Sequence, residues 1–293
     1  MDKYTFTQVD KKQYGIYHAI YSDCNIFMRL DWNERMNVLK SNENGYFVFL
    51  KDKLVGGFSL LDNQISNPFM FPPFIDRLLF WKIVLDYASE ICCKDELYLS
   101  NISKADVEIL TEQFSATIKM TQRIMLRPTE QSDVGLKGNF YFTELLENDI
   151  PYIVQTVFTA HSTGYTSKSK TPDKEEIEKA INMRFQAFSQ TKTLHLSTLV
   201  KSIDNHELVG VCIAGIYPDS PNNFSTIHQV SVLPEFRKRG IAESMMLRTI
   251  NTAHTISPVI TLGVMVGNPA EQLYNKLGFT SGPSYCNLIY TVQ

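Results

Sequence analysis

The sequence predicts an α/β protein: a mixed, largely antiparallel sheet with helices on both faces, laid out as two tandem copies of one arrangement. Three observations predict it. A turn-bounded strand pair occurs in each half. A strand, a basic glycine-bearing turn and a helix follow one another in the second half. Each half ends on a late alternating strand.

At 293 residues the chain exceeds one average domain, and two domains are expected. With 44% hydrophobic and 20% charged residues, each half can bury its own core. The first hairpin is YFVFL, KDK, LVGGFSLL, from Tyr46 to Leu61. Phe74 to Ala88 then reads as a helix and Thr121 to Arg127 as the late strand. The polar, glycine-containing stretch Pro128 to Gly138 is the expected linker, giving domains over 1–130 and 138–293.

In the second half Glu144 to Ala160 reads as a helix. Lys174 to Ser189 reads as another, with Ile177, Ile181, Phe185 and Phe188 at helical spacing. Between them His161 to Asp173, rich in Ser, Thr, Lys and Gly, is expected to be a surface loop, suited equally to a spacer or a substrate lid. The second hairpin runs from Leu194 to Tyr217, with Asp204 and Asn205 in its turn, and the closing strand is Tyr285 to Val292. Leu54-Val55-Gly56-Gly57 answers Leu208-Val209-Gly210-Val211, and the order of elements repeats, which reads as a diverged internal duplication.

Charge and cysteine usage narrow the function classes. A formal net charge of -3 and a pI near 6.1 provide no positive field for a phosphate backbone, so no nucleic-acid partner is expected. The N-terminal residues lack the basic-then-apolar pattern of a signal peptide. The most apolar helix, Phe74 to Ala88, is broken by Asp76, Arg77, Lys82 and Asp86, so no membrane partner is expected either. Cys24, Cys92, Cys93, Cys212 and Cys286 are odd in number and lack paired CxxC spacing. A reducing cytoplasm, no disulfide framework and no metal are the expectation.

The stretch STIHQVSVLPEFRKRGIAESMMLRTINTA, Ser225 to Ala253, carries the chemistry. Alternation over Thr226 to Val232 makes a strand, Pro234 ends it, and Ile241, Met245, Leu247 and Ile250 give the next helix an apolar face. A turn of this kind aims several backbone N–H groups and a positive helix end at one point, which is an anion site. Gly240 permits a positive φ or close approach, Ala242 keeps the first helical turn low, and Arg237, Lys238 and Arg239 bring charge. On this feature alone Gly240 reads first as the joint of a tight strand-to-helix connection, ahead of a phosphate site. Neither GxGxxG nor GxxxxGK[ST] occurs, which argues against dinucleotide and nucleoside-triphosphate folds.

VLPEFRKRGIA, Val232 to Ala242, resembles the acyl-CoA motif V-x-P-x-x-[RQ]-x-x-G-x-[GA] of the GNAT superfamily of N-acyltransferases, with Arg237, Gly240 and Ala242 on its defining positions. VGNPAEQLYNKLGF, Val266 to Phe279, is similar to that superfamily's second motif through Ala270, Tyr274, Lys276, Gly278 and Phe279. It departs in one place, since Asn268 lies two rather than three residues before Ala270, which puts an asparagine contact to the pantetheine arm in doubt. The resemblance covers roughly 138–293. The first half is then a degenerate GNAT-like copy, with Pro72 and Pro73 where the phosphate turn would stand, and is expected to bind no CoA.

The resemblance implies transfer of an acetyl group from acetyl-CoA, as co-substrate, to the primary amine of a small molecule or peptide by direct attack. Such chemistry needs a base for the amine, an oxyanion donor and an acid for the departing thiolate. It implies a backbone donor within Val230, Ser231 and Val232, cofactor contacts from Arg237 to Ala242, including Ile241, and from Asn268, Tyr274 as the acid and His228 as the base. An acyl-cysteine route through Cys212 or Cys286 is disfavoured because Cys212 sits in an apolar strand. A non-catalytic acyl-CoA-binding or regulatory module and transfer of a longer acyl group are the competing readings, for a monomer or a homodimer.

Overall fold

The computed structural model describes residues 4–22, 32–39, 42–164, 173–218 and 223–292. The chain forms two compact units, one of Met1–Arg123 with Gly282–Gln293 and one of Ile124–Ser281.

The first unit contains β1 (Tyr4–Val9), α1 (Lys11–Tyr21), α2 (Trp32–Met36), β2 (Asn44–Leu50), β3 (Lys53–Leu61) and β4 (Gln64–Met70). α3 (Arg77–Cys92), β5 (Glu96–Ser103) and α4 (Lys104–Phe114) follow, and β12 (Thr280–Thr291) joins from far along the sequence. Its strands lie in the order β1-β2-β3-β4-β5-β12. The β2–β3 hairpin closes tightly because Lys51 and Asp52 both take positive φ, 49° and 63°, whose twist matches that of the strands. Alternation along β2 sends Val48 to the face that packs Phe58, Trp81 and Leu97, and Phe47 to the face that packs Tyr14 and Phe69. Helices therefore cover both faces.

The second unit contains β7 (Phe140–Thr143), α5 (Ile150–Ser162), α6 (Lys174–Gln190), β8 (Thr198–Ser202), β9 (Leu208–Gly215) and β10 (Ser225–Val232). α7 (Ile241–Ala253), β11 (Val259–Met265) and α8 (Ala270–Lys276) complete it, with the later residues of β6 (Thr117–Pro128). The strand order is β6-β11-β10-β9-β8-β7. Cys212, Ile227, Met245, Ile250, Leu262 and Tyr274 form the core on the α7 and α8 face. On the opposite face α5 and α6 pack Ile153, Val157, Ile181 and Phe188 against Leu199, Val211 and Ile213.

Each unit has the same sequence of parts: an antiparallel β-meander whose last strand pairs in parallel with the strand after a crossover helix. The observed divisions differ from the expected domains 1–130 and 138–293 in one main respect. β12 pairs antiparallel with β5, from Tyr285↔Ser103 to Thr291↔Glu96, and so belongs to the first unit. An alternating strand specifies which faces it buries but not which edge it completes, and that is why the sequence placed it with its chain neighbours. Smaller shifts have local causes. α5 starts at Ile150 rather than Glu144 because Pro151 fits only the first helical turn, and it runs on through His161, which the sequence had assigned to a loop. α3 begins at Arg77, where Asp76 caps it, after the Pro72-Pro73 pair. Residues 165–172 of the expected lid or spacer lie outside the described residues.

Candidate active site

The site is built on the parting of two parallel strands. β10 pairs with β9 to its last residue, Val232↔Gly210, but with β11 only through Ser225↔Ile260, Thr226↔Thr261 and Ile227↔Leu262. Beyond Ile227 the β11-facing backbone groups of β10 have no strand partner in that register, which leaves a notch bordered by Val230 to Val232. A bulge against β9 between Ile227 and Gln229 lets two successive residues share a face. The His228 ring meets Phe188 and Tyr217, with centroids 5.7 and 5.1 Å away, and the Gln229 amide reaches His161 on α5.

At the end of β10 the chain makes a short turn over Pro234–Phe236, and Lys238 and Gly240 both adopt positive φ, 60° and 80°. Gly240 is the N-cap of α7, and no side chain caps that helix, so the amides of its first turn point out of the protein without a side-chain acceptor. A cavity of about 350 Å³ opens there, lined by Val232, Phe236, Leu273 and the whole turn from Arg237 to Glu243 except Arg239. Glu243 brings a negative charge to the first turn of α7, but Lys276 of α8 pairs with it at 2.7 Å. The mouth thus keeps the positive character of the helix end and of the basic turn.

The first unit has the corresponding joint in a different state. β4 parts from β5 after Gln64↔Tyr98 and Ile65↔Leu99. The N-terminus of α3, however, is filled by the Asp76 carboxylate, which accepts from the Leu79 amide at 2.9 Å. A pyrophosphate there would meet a carboxylate in place of open N–H groups.

The predicted residues divide into those that shape the turn and those tied up elsewhere. Gly240, Ile241 and Ala242 form the helix start, Ile241 buried and Ala242 half-buried. Val232 is buried at the notch, Val230 is half-buried among the α7-face core, and the Ser231 hydroxyl accepts from Gln229 at 2.8 Å. Arg237 lines the cavity, and its guanidinium turns back onto α5. Its Nη2 donates to Ala160 O at 2.8 Å and Thr163 Oγ1 at 3.2 Å, and its Nε to Val232 O at 3.2 Å, so it fastens the turn to the carbonyl end of α5. Arg239 donates to Glu235 O at 3.0 Å and lies over the Phe236 ring, while Lys238 is exposed. Asn268 uses its side-chain oxygen to cap α8, accepting from the Ala270 amide at 3.0 Å.

Tyr274 is buried against Phe279 on the α7 and α8 face, close to Cys212. Burial, and then Cys212, push its phenol up to about 12. Cys212 is itself buried, and desolvation raises its thiol to about 12, so it is a packed hydrophobe and not a thiolate nucleophile. Cys92, Cys93, Cys212 and Cys286 are free. Cys24 lies outside the described residues.

Sequence reasoning missed His161. It lies in the last turn of α5 with Nε2 2.9 Å from Gln229 Nε2, and burial, followed by the Arg237 charge, holds its pKa below the usual histidine value. Its only sequence signal is its position four residues after Val157 on the buried stripe of α5. Among the described residues no group of three or more His, Cys, Asp or Glu side chains is placed to hold a metal, and no helix is long and apolar enough to cross a membrane.

Residues 158–279, which contain the parted strand, the uncapped glycine turn and the helix after it, match the Acetyltransferase (GNAT) family. The second unit carries a GNAT domain, and the chain as a whole has a tandem GNAT fold. It is similar over 99% of its length, and 96% of the other chain, to a GCN5-related N-acetyltransferase from Sphaerobacter thermophilus, at 16% identity and TM-score 0.70. It is similar to a tandem GNAT protein from the clavulanic acid biosynthesis pathway over 99% and 98% of the two chains, at 9% identity and TM-score 0.61. An acetyltransferase of the GNAT family from Colwellia psychrerythraea matches over 98% and 100%, at 12% identity and TM-score 0.60. No curated protein matches the chain in sequence.

Proposed function

We propose that the second unit is an N-acetyltransferase that moves an acetyl group from acetyl-CoA to the primary amine of a small molecule or peptide, in the cytoplasm. The open N-terminus of α7, set at the end of a strand that has left its neighbour, is the observation that carries this reading. The pyrophosphate binds the first-turn amides and Lys238, and the pantetheine arm takes the unpaired edge of β10. A backbone N–H within Val230 to Val232 stabilises the oxyanion as the neutral amine nitrogen attacks the thioester carbon. The C–S bond then breaks, and the amine's proton leaves to a base on the α5 and α6 face, where His228 and His161 stand.

Tyr274 supports the leaving sulfur by hydrogen bonding and not by full proton transfer. A phenol near 12 lies some three to four pH units above an ordinary thiol, so complete transfer is uphill by about 5 kcal/mol. The same burial favours a second reading, a module that binds acyl-CoA without turning it over. Calorimetry with acetyl-CoA and thiol release over an amine panel decide the matter. One site per chain and amine-stimulated release are expected. Absence of binding, or two equivalent sites, refutes the assignment, and binding without release under any amine establishes the regulatory module.

A further inference from the structure

The carbonyl end of α5 is fastened beside the notch of β10 by two contacts. Arg237 donates from Nη2 to Ala160 O at 2.8 Å and from Nε to Val232 O at 3.2 Å, so one guanidinium joins the helix end to the last residue of the notch. One residue on, His161 Nε2 lies 2.9 Å from Gln229 Nε2. Gln229 and Ser231 stand opposite Ile213 and Val211 of β9, whose side chains belong to the α5 and α6 core, so both point to that face.

The Gln229 amide decides which nitrogen of His161 carries the proton. An amide nitrogen only donates, and this one donates to Ser231 Oγ at 2.8 Å as well as to the ring. His161 Nε2 is therefore an acceptor, and the neutral ring holds its proton on Nδ1. The ring is neutral near pH 7, since burial and then the Arg237 charge hold its pKa below the ordinary value. Nδ1 is buried and meets no hydrogen-bond partner among the described residues. A buried N–H in that state is completed by a ligand atom that accepts. With the Nε2 lone pair spent on Gln229, the ring has none with which to take a proton from an amine. What it offers is a donor, in the field of the Arg237 charge, and its complement is an electron-rich oxygen. Through Gln229 and Arg237 that donor is tied to residues on both sides of Val230, so the oxygen it meets lies close to the nitrogen that attacks at the notch.

We infer that His161 recognises the acceptor through Nδ1–H, and that the acceptor is an amine with a carbonyl oxygen on the carbon next to its nitrogen, the unit shared by a free amino acid and a peptide N-terminus. The inference rests on acyl transfer at the notch, as proposed above. It makes His161 a substrate-binding residue and removes it from the candidates for the base.

Thiol release from acetyl-CoA by the full chain is measured with glycine, glycinamide and glycylglycine beside propylamine and 1,4-diaminobutane, with kcat/KM expressed per neutral amine so that basicity does not enter. The parent prefers the α-amino carbonyl compounds by about tenfold or more, the value of one hydrogen bond to a buried donor. Glycine against glycylglycine tells a free amino acid from a peptide end. His161→Asn, whose side-chain nitrogen takes the place of Nδ1, keeps the preference. His161→Gln, whose nitrogen takes the place of Nε2, brings the ratio near unity, whereas a merely structural histidine would leave it unchanged in both variants. Nitrogen-15 spectra of the labelled parent, with His161 identified as the signal missing from His161→Asn, show the proton on Nδ1. Equal use of glycinamide and propylamine by the parent, a preference that survives in His161→Gln, or a proton on Nε2 overturns the inference and leaves acyl transfer standing. No release with any amine overturns both. Thermal unfolding accompanies each variant, and if His161→Gln does not fold, the parent's preference and its tautomer decide.

Discussion

Gly240→Ala isolates the backbone conformation of the turn from every other property of the site. A Cβ built on Gly240 has nothing within 4 Å, so the substitution makes no clash with the protein. What it meets is φ 80°, a left-handed conformation that costs an L-residue about 1–2 kcal/mol. If the turn keeps its shape, that strain appears as lost stability, roughly 2–8 °C in Tm for a unit of this size. If the turn relaxes, the strain must be met on binding, and acetyl-CoA affinity falls about five- to thirtyfold. Differential scanning calorimetry and isothermal titration together therefore recover one quantity, divided between two readouts. Gly240→Asn, which tolerates the left-handed region, recovers most of the loss, and Gly240→Val, which does not, exceeds it. If Ala, Asn and Val bind and melt like the parent, the positive φ is not what organises the phosphate turn.

Arg237→Lys keeps the charge but not the fork to Ala160, Thr163 and Val232. Loss of about 1–3 kcal/mol in stability is expected, against none if the side chain acts only as a point charge for phosphate. Tyr274→Phe retains the ring against Phe279 and should lower kcat by roughly ten- to a thousandfold while acetyl-CoA affinity stays within a few-fold. Turnover at the parent rate makes Tyr274 a packing residue. The folded-state pKa values of Tyr274 and Cys212 are both raised to about 12, so the stability they contribute is present at neutral pH and is lost as pH climbs from about 9 to 12. Urea midpoints measured across that range should fall, and Cys212→Ala should flatten the fall. His18 is displaced the other way, to about 4, by its burial. Its contribution is complete above pH 6.5 and disappears as pH drops towards 4, so near-UV circular dichroism of the first unit's aromatic core should decay in that window and do so less in His18→Gln.

Motifs whose function is backbone geometry were readable from residue types, because few residues can occupy them. Gly240 in the left-handed region and Pro234 at the strand end appear where the sequence placed them, and of the face expected for α7 Ile241, Met245 and Ile250 are buried, while Met246 enters the core and Leu247 is only half-buried. Side-chain partners were not readable. Nothing in RKRG says that Arg237 turns back onto α5 while Lys238 faces outward, since that depends on an element some 75 residues earlier. Asn268 could be placed near α8, but whether its oxygen caps the helix or reaches a ligand is settled by one torsion. The partner of β12 was invisible for a related reason: pairing is a long-range choice among edges with the same alternation.

That pairing bears on how the protein comes into being. Asn287 accepts a hydrogen bond from the Asn101 amide across a separation of 186 residues, and the rest of β12 lies along β5. While a ribosome is still translating the second unit, β5 has no β12 beside it, and a strand edge of that length is adhesive. At a synthesis rate of about 5–20 residues per second the exposure lasts roughly ten to forty seconds, long enough for a chaperone or a neighbouring nascent chain to find it. A fragment cut at the apparent boundary near Arg123 would carry the same bare edge permanently, so the first unit is a domain in space without being an independently expressible piece of sequence.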